Sequence, residues 1–159
     1  MKTEISQALE KLVEVLKSLK VPFVLTGTTA LDLLGVLPKN VSPADIDVRV
    51  SKGDLSEAQL KYLGSLEYIS KGKQGDNAYK DSLEFYIGTL DEREKLVPVK
   101  VNVILVNGTQ DFITLLWKGK ELQVQPFKDL IKAKMELDRP KDKEFMLNLI
   151  KVMGANYNV

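Results

Sequence analysis

The sequence predicts an α+β domain: a small mixed or antiparallel sheet packed with helices and followed by C-terminal helices. Three features predict it. At 159 residues and 44% hydrophobic content the chain can bury one sizeable core but not two. Two segments, Asp45–Val50 and Val99–Val106, alternate along the chain as half-buried strands do, whereas the N-terminal segment repeats its apolar residues at helical spacing. No repeat and no low-complexity linker interrupts the order of elements, so residues 1–159 read as one domain, with a core over about 1–125 and a helical tail over about 126–159.

Ile5, Leu9, Leu12, Leu16 and Leu19 form one stripe of a first helix, which Thr3 is placed to cap and Pro22 ends. Phe23-Val24-Leu25 reads as a buried strand running into a tight turn at Thr26-Gly27. A second helix follows, capped by Thr28 or Thr29 and stopped by Gly35. After the loop from Pro38 to Pro43 comes the alternating strand Asp45–Val50. Asp54 and Glu57 have capping-box spacing for a third helix ending at Gly64.

Short strands are expected at Leu66–Ser70 and Ser82–Ile87, with the polar stretch Lys71–Asp81 as a solvated loop between them. Lys71, Lys73, Tyr79 and Lys80 give that loop charge and a ring that could meet a polynucleotide, which Asp76 and Asp81 dilute. Asp111–Trp117 is read as a short helix with Trp117 in the core, Lys118-Gly119-Lys120 as a turn and Leu122–Val124 as a brief strand. Pro126 and Pro140 open the last two helices.

Composition narrows the chemistry. There is no His and no Cys, which excludes Ser-His-Asp and Cys-His catalysis, the usual zinc sites and disulfides. Lys plus Arg is 23 against 22 for Asp plus Glu, so no strong basic field draws the chain to nucleic acid or anionic membrane. The charged residues spread through Met1–Lys20 are unlike a signal peptide, and no apolar run reaches the roughly 20 residues of a membrane span. The reading is a cytoplasmic protein.

Asp45 and Asp47 are two apart on a strand, so their carboxylates leave the same face and can share a hard cation. An ordinary wet strand face is the alternative. Gly27, Thr28 and Thr29 sit where a strand turns into a helix, a place where backbone N–H groups and hydroxyls can receive a phosphate or simply punctuate the chain. Lys134 lies on the inward stripe of its helix, able to reach a triphosphate or the Asp pair, or to lay its stem over apolar surface.

The stretch VLTGTTALDLLGVLPKNVSPADIDV, Val24 to Val48, resembles the nucleotidyltransferase superfamily with its DNA polymerase β-like fold, and in particular the small bacterial branch of AbiEii-type toxins. Lys128 to Asp142, KDLIKAKMELDRPKD, resembles the tail of that branch. The resemblance implies Mg²⁺ or Mn²⁺ at Asp45 and Asp47, a nucleoside triphosphate (ATP or another NTP) bound through Gly27, Thr28, Thr29 and Lys134, and nucleotidyl transfer to RNA, a protein or a small molecule. It also implies a toxin–antitoxin or defence setting and a helical protein partner.

Asn102 stands where the family has its third catalytic carboxylate, so the site loses a charge and a proton acceptor. Thr28 is the second residue of the glycine turn, and Val41 and Pro43 stand near places where the branch often has Arg and Thr. Glu84, on the less apolar face of its strand, is a candidate substitute ligand or a plain surface glutamate. Arg139, Lys141 and Asp142 suit a structural role at a helix start. Two other readings therefore stand beside the enzyme: an inactive relative that binds nucleotide or protein, and an interaction module whose Asp pair is ordinary surface.

Overall fold

A computed structural model describes residues 1–38, 41–56, 59, 69–71, 82–137 and 139–157 of the chain. Helix α1 spans Thr3–Ser18, strand β1 Val24–Thr26, helix α2 Gly27–Leu33 and strand β2 Ile46–Ser51. Strands β3 (Ile69–Lys71), β4 (Ser82–Leu90), β5 (Leu96–Val106), β6 (Ile113–Trp117) and β7 (Lys120–Val124) follow, then helices α3 (Phe127–Leu137) and α4 (Pro140–Tyr157). The strands form one seven-stranded sheet in the order β3-β4-β5-β2-β1-β7-β6. It is mixed: β2 runs parallel to β5 and β1 parallel to β7, while the other neighbours are antiparallel.

The sheet is two-faced because its strands alternate. Ile46, Val48 and Val50 of β2, Val101 and Val103 of β5 and Leu25 of β1 are buried in one cluster with Leu9, Leu12 and Leu16 of α1. The residues between them, Asp47 and Arg49 on β2 and Asn102 on β5, leave the opposite face. α1 lies against β4 and β5, α2 against β1 and β2, and α3 bridges α2 and α4.

Helix α1 stops without a glycine. Val21 N–H reaches the Leu16 carbonyl and Lys20 N–H the Lys17 carbonyl, a Schellman closure that holds Lys20 at φ 58°. α2 closes the same way, through Val36 to Leu31 and Gly35 to Asp32, with Gly35 at φ 74°. A side chain in the left-handed region carries strain that glycine avoids, offset in part by glycine's chain entropy. Lys20→Gly should therefore stabilise the protein by about 0.5–1 kcal/mol, read as a rise in the midpoint of a urea melt.

Several sequence expectations change. Asp111–Trp117 holds strand β6, not a helix: Trp117 pairs with Lys120, and the two-residue turn between them has positive φ at Lys118 (50°) and Gly119 (75°). That turn fits only an antiparallel hairpin, and a short apolar run cannot by its spacing tell strand from helix. Trp117 lies partly buried against the core with Lys118 over its ring at 5.0 Å. Thr3 does not cap α1; Lys2 takes that position with no side-chain bond. Neither Thr28 nor Thr29 caps α2, which begins at Gly27 with Thr26 before it.

The reciprocal capping-box bonds join Ser56 and Gln59 (2.7 and 3.2 Å), two residues beyond the expected pair, and the rest of the helix expected up to Gly64 lies outside the described residues. So do 66–68 of the short strand and 72–81 of the loop, with Lys73, Tyr79 and Lys80. The hairpin of β4 and β5 is longer than the alternation suggests. It reaches Leu90 and Leu96, and Pro98 is tolerated because β2 pairs with β5 only from Val101 onward, leaving that stretch an edge.

Candidate active site

Register brings the polar residues together. Thr26 of β1 stands opposite Asp47 of β2, Asp47 beside Asn102 of β5, and Asn102 opposite Glu84 of β4, so four neighbouring strands present one row on one face. Asp45 lies just before β2, its side chain 33% exposed, and its Oδ2 is 3.9 Å from Lys100 Nζ. The Thr29 hydroxyl donates to the Asp45 carbonyl at 2.8 Å, which ties the start of β2 to α2.

Gly27 is the contact point between the turn and the acids. It has φ +71°, and a Cβ built on it would stand 2.5 Å from Asp47 Oδ2. Two separate requirements thus select glycine here: a left-handed backbone and space for a carboxylate. Thr26 closes the neighbouring side by donating its hydroxyl to Gln125 Oε1, while Gln125 N–H reaches the Leu25 carbonyl at 2.9 Å.

Asp47 is the perturbed group of the row. Burial, then the charge of Asp45, push its pKa up to about 6, against the pull of Asn102, Lys134 and Lys100. Asn102 turns its Nδ2 to Asp47 Oδ1 at 2.7 Å, so its amide acts as a donor to that carboxylate. Lys134, with a side chain 14% exposed, sits 4.4 Å over the Phe145 ring and 4.0 Å from Asp142 Oδ1. Burial lowers its pKa, and Asp142 is the first charge opposing that. Asp142 is buried and gripped by Arg139 through Nε and Nη2, and it accepts the Arg139 backbone N–H at 3.3 Å as the third residue of α4. Although burial alone would raise it, these bonds and Lys134 hold Asp142 below the usual carboxylate range.

The overall fold also occurs in solved structures. An antigenic nucleotidyltransferase-like protein from Paracoccidioides brasiliensis superposes with a TM-score of 0.69 at 13% identity, over 98% of this chain and 78% of its own. The chain has the nucleotidyltransferase-like fold. JHP933 from Helicobacter pylori superposes at TM-score 0.53 and 17% identity over 82% of this chain, which spans only 54% of JHP933. No protein-family model and no curated protein sequence matches.

Within this nucleotidyltransferase-like fold the donors suit a small hard cation on one condition. Asp45 and Asp47 are two carboxylates that repel each other, and a divalent cation would relieve the rise in Asp47. Among the described residues, however, no group of three acidic, His or Cys side chains converges. Mg²⁺ is held in this way when one or two carboxylates are completed by substrate phosphates and water. Glu84 shares the face of Asn102 but is engaged by Tyr86, whose hydroxyl donates to Oε1 at 2.9 Å, and it joins no acidic cluster.

Lys100 and Gln125 were not singled out by sequence reading. Lys100 is two residues before Asn102 and so on its face, but only the register with β2 sets it beside Asp45. Lys141, grouped in sequence with Arg139 and Asp142, is exposed, whereas Asp142 faces inward.

Proposed function

We propose that this protein binds a nucleoside triphosphate with Mg²⁺ or Mn²⁺ at Asp45 and Asp47 and transfers its nucleotidyl group to a hydroxyl of RNA, a protein or a small molecule. The observation that carries the reading is the fit of Gly27 against the Asp47 carboxylate, with Asp45 on the same rim. Transfer joins the acceptor oxygen to the α-phosphorus, breaks the bond to the bridging oxygen, and releases pyrophosphate and the hydroxyl proton. A bound cation would neutralise charge on the phosphoryl oxygens. Gly27, Thr28 and Thr29 are assigned to the phosphates through the turn, and Lys134 to the remaining negative charge.

The Lys128–Asp142 stretch supports a place near the AbiEii-like branch, since it supplies both Lys134 and the Arg139–Asp142 pair that orients it. A cytoplasmic defence or toxin–antitoxin role with a helical protein partner goes with that placement. For the described residues, no helix is long and apolar enough to cross a membrane.

Asn102 favours a second reading. Its Nδ2 satisfies Asp47 without adding charge, which suits a relative that binds nucleotide without turnover. One experiment separates the readings. In a thermal-shift titration with each NTP, a metal-dependent rise of about 5–10 °C is expected at roughly 100 times the dissociation constant. It should vanish in Asp45→Ala/Asp47→Ala. Pyrophosphate release by the natural protein establishes the enzyme, and release only after Asn102→Asp establishes the inactive relative. No shift with any NTP and metal would overturn nucleotide binding itself.

A further inference from the structure

Helix α4 has two apolar sides. Phe145 and Leu149 point into the core, 8% and 1% exposed, but Leu147 and Ile150 on the other side are 63% and 60% exposed. Met135 at the end of α3 is 64% exposed, and with Met146, Leu147 and Ile150 it lines a mainly apolar groove of about 440 Å³ between the two helices, which Lys134, Asp142 and Lys143 complete. A helix apolar on both sides is ordinarily covered on both.

The outer stripe has the spacing of a helix–helix seam. Lys143, Leu147, Ile150 and Gly154 recur at four, three and four residues, the a and d positions of a heptad. Glu144 and Lys151, both exposed, are seven apart and share the row that flanks this stripe on the side away from the groove. In an antiparallel pair of identical helices that row meets itself, so Glu144 of each copy faces Lys151 of the other. A parallel pair would set the row against the Met146 side, where Glu144 and Lys151 cannot meet each other and Lys151 faces Met146.

We propose that α4 is a dimer interface, pairing antiparallel with α4 of a second copy so that Leu147 packs at Ile150 of that copy and Glu144–Lys151 ion pairs close one rim twice. The groove beside Met135 and Met146 receives the second copy's apolar side chains on the other rim. The arrangement is isologous, as a two-fold dimer requires. Two turns of helix make a small interface, so association is weak, with a dissociation constant on the order of tens of micromolar.

Sedimentation velocity on the full chain over roughly 5–500 μM tests this. The natural protein should pass from monomer to dimer, and Leu147→Glu/Ile150→Glu should stay monomeric. Glu144→Lys alone sets two lysines together at both ends, and Lys151→Glu alone two glutamates, so each should weaken the dimer about 10-fold or more. An equimolar mixture of these two variants should dimerise again, because the heterodimer restores both pairs, and the double variant Glu144→Lys/Lys151→Glu should behave as the natural protein. All the charge changes are at exposed positions, and unchanged thermal melts will show that the variants fold. A monomer throughout the range, a dimer that survives Leu147→Glu/Ile150→Glu, or failure of the mixture to dimerise would each overturn the proposal.

Discussion

Gly27→Ala is expected to destabilise the protein by about 2–4 kcal/mol and to abolish its metal-dependent response to NTP. Two costs add. Alanine at φ +71° carries about 1 kcal/mol of backbone strain, and its Cβ would fall 2.5 Å from Asp47 Oδ2. That carboxylate cannot simply step aside, because Asn102 holds its other oxygen at 2.7 Å. Displacing it breaks a buried hydrogen bond and moves the acid away from Asp45. Chemical denaturation gives the stability loss, and thermal-shift titration gives the binding loss. Gly35→Ala is the control, since Gly35 also has positive φ (+74°) but nothing within 4 Å of its Cβ position. It should cost only the strain and leave the ligand response intact. Equal losses in the two variants would show that contact with Asp47 is immaterial.

Asp47 makes stability fall as pH rises. Its pKa is about 6 in the folded protein and 3.8 as the ordinary value, so between those values the folded state binds more protons than the unfolded one. The penalty is absent below pH 4, grows through the window and is complete above pH 6, where a shift of this size corresponds to about 3 kcal/mol. Asp47→Asn removes the ionisation. Measured by urea melts without metal, the variant should match the natural protein near pH 4 and exceed it by up to about 3 kcal/mol near pH 7. Mg²⁺ with NTP should narrow that gap by stabilising only the natural protein at neutral pH. A difference that does not change with pH would mean that Asp47 titrates normally. With its pKa raised, the carboxylate is ionised at neutral pH at a cost to folding, a pattern more usual in functional sites than in structural ones.

How much of this was legible in the chain depends on the distance over which each signal acts. The alternation in Asp45–Val50 places Asp45 and Asp47 on one face without any knowledge of the neighbours, since the direction of a strand side chain is a local property. The glycine at the end of β1 and the prolines opening α3 and α4 are local in the same sense. Strand β6 was missed because its apolar run is too short to show a period, and its pairing with β7 is set by two positive-φ residues at Lys118 and Gly119. Of the expected caps, Thr29 gives its hydroxyl to the Asp45 carbonyl instead, and Thr26, which takes the cap position of α2, gives its own to Gln125, contacts across 16 and 99 residues.

By itself, then, the sequence determined the fold class, the alternating segment that carries the acids with the glycine turn before it, and the absence of His and Cys chemistry. Tertiary structure decided the rest. It brought Gly27 against Asp47, turned the Asn102 amide toward that carboxylate, set Lys100 beside Asp45, and left the outer side of α4 apolar and bare. The physical reason is the order of the strands. With β1, β2 and β5 adjacent, residues some 20 and 55 positions from Asp47 become its nearest neighbours, and burial among them sets its charge.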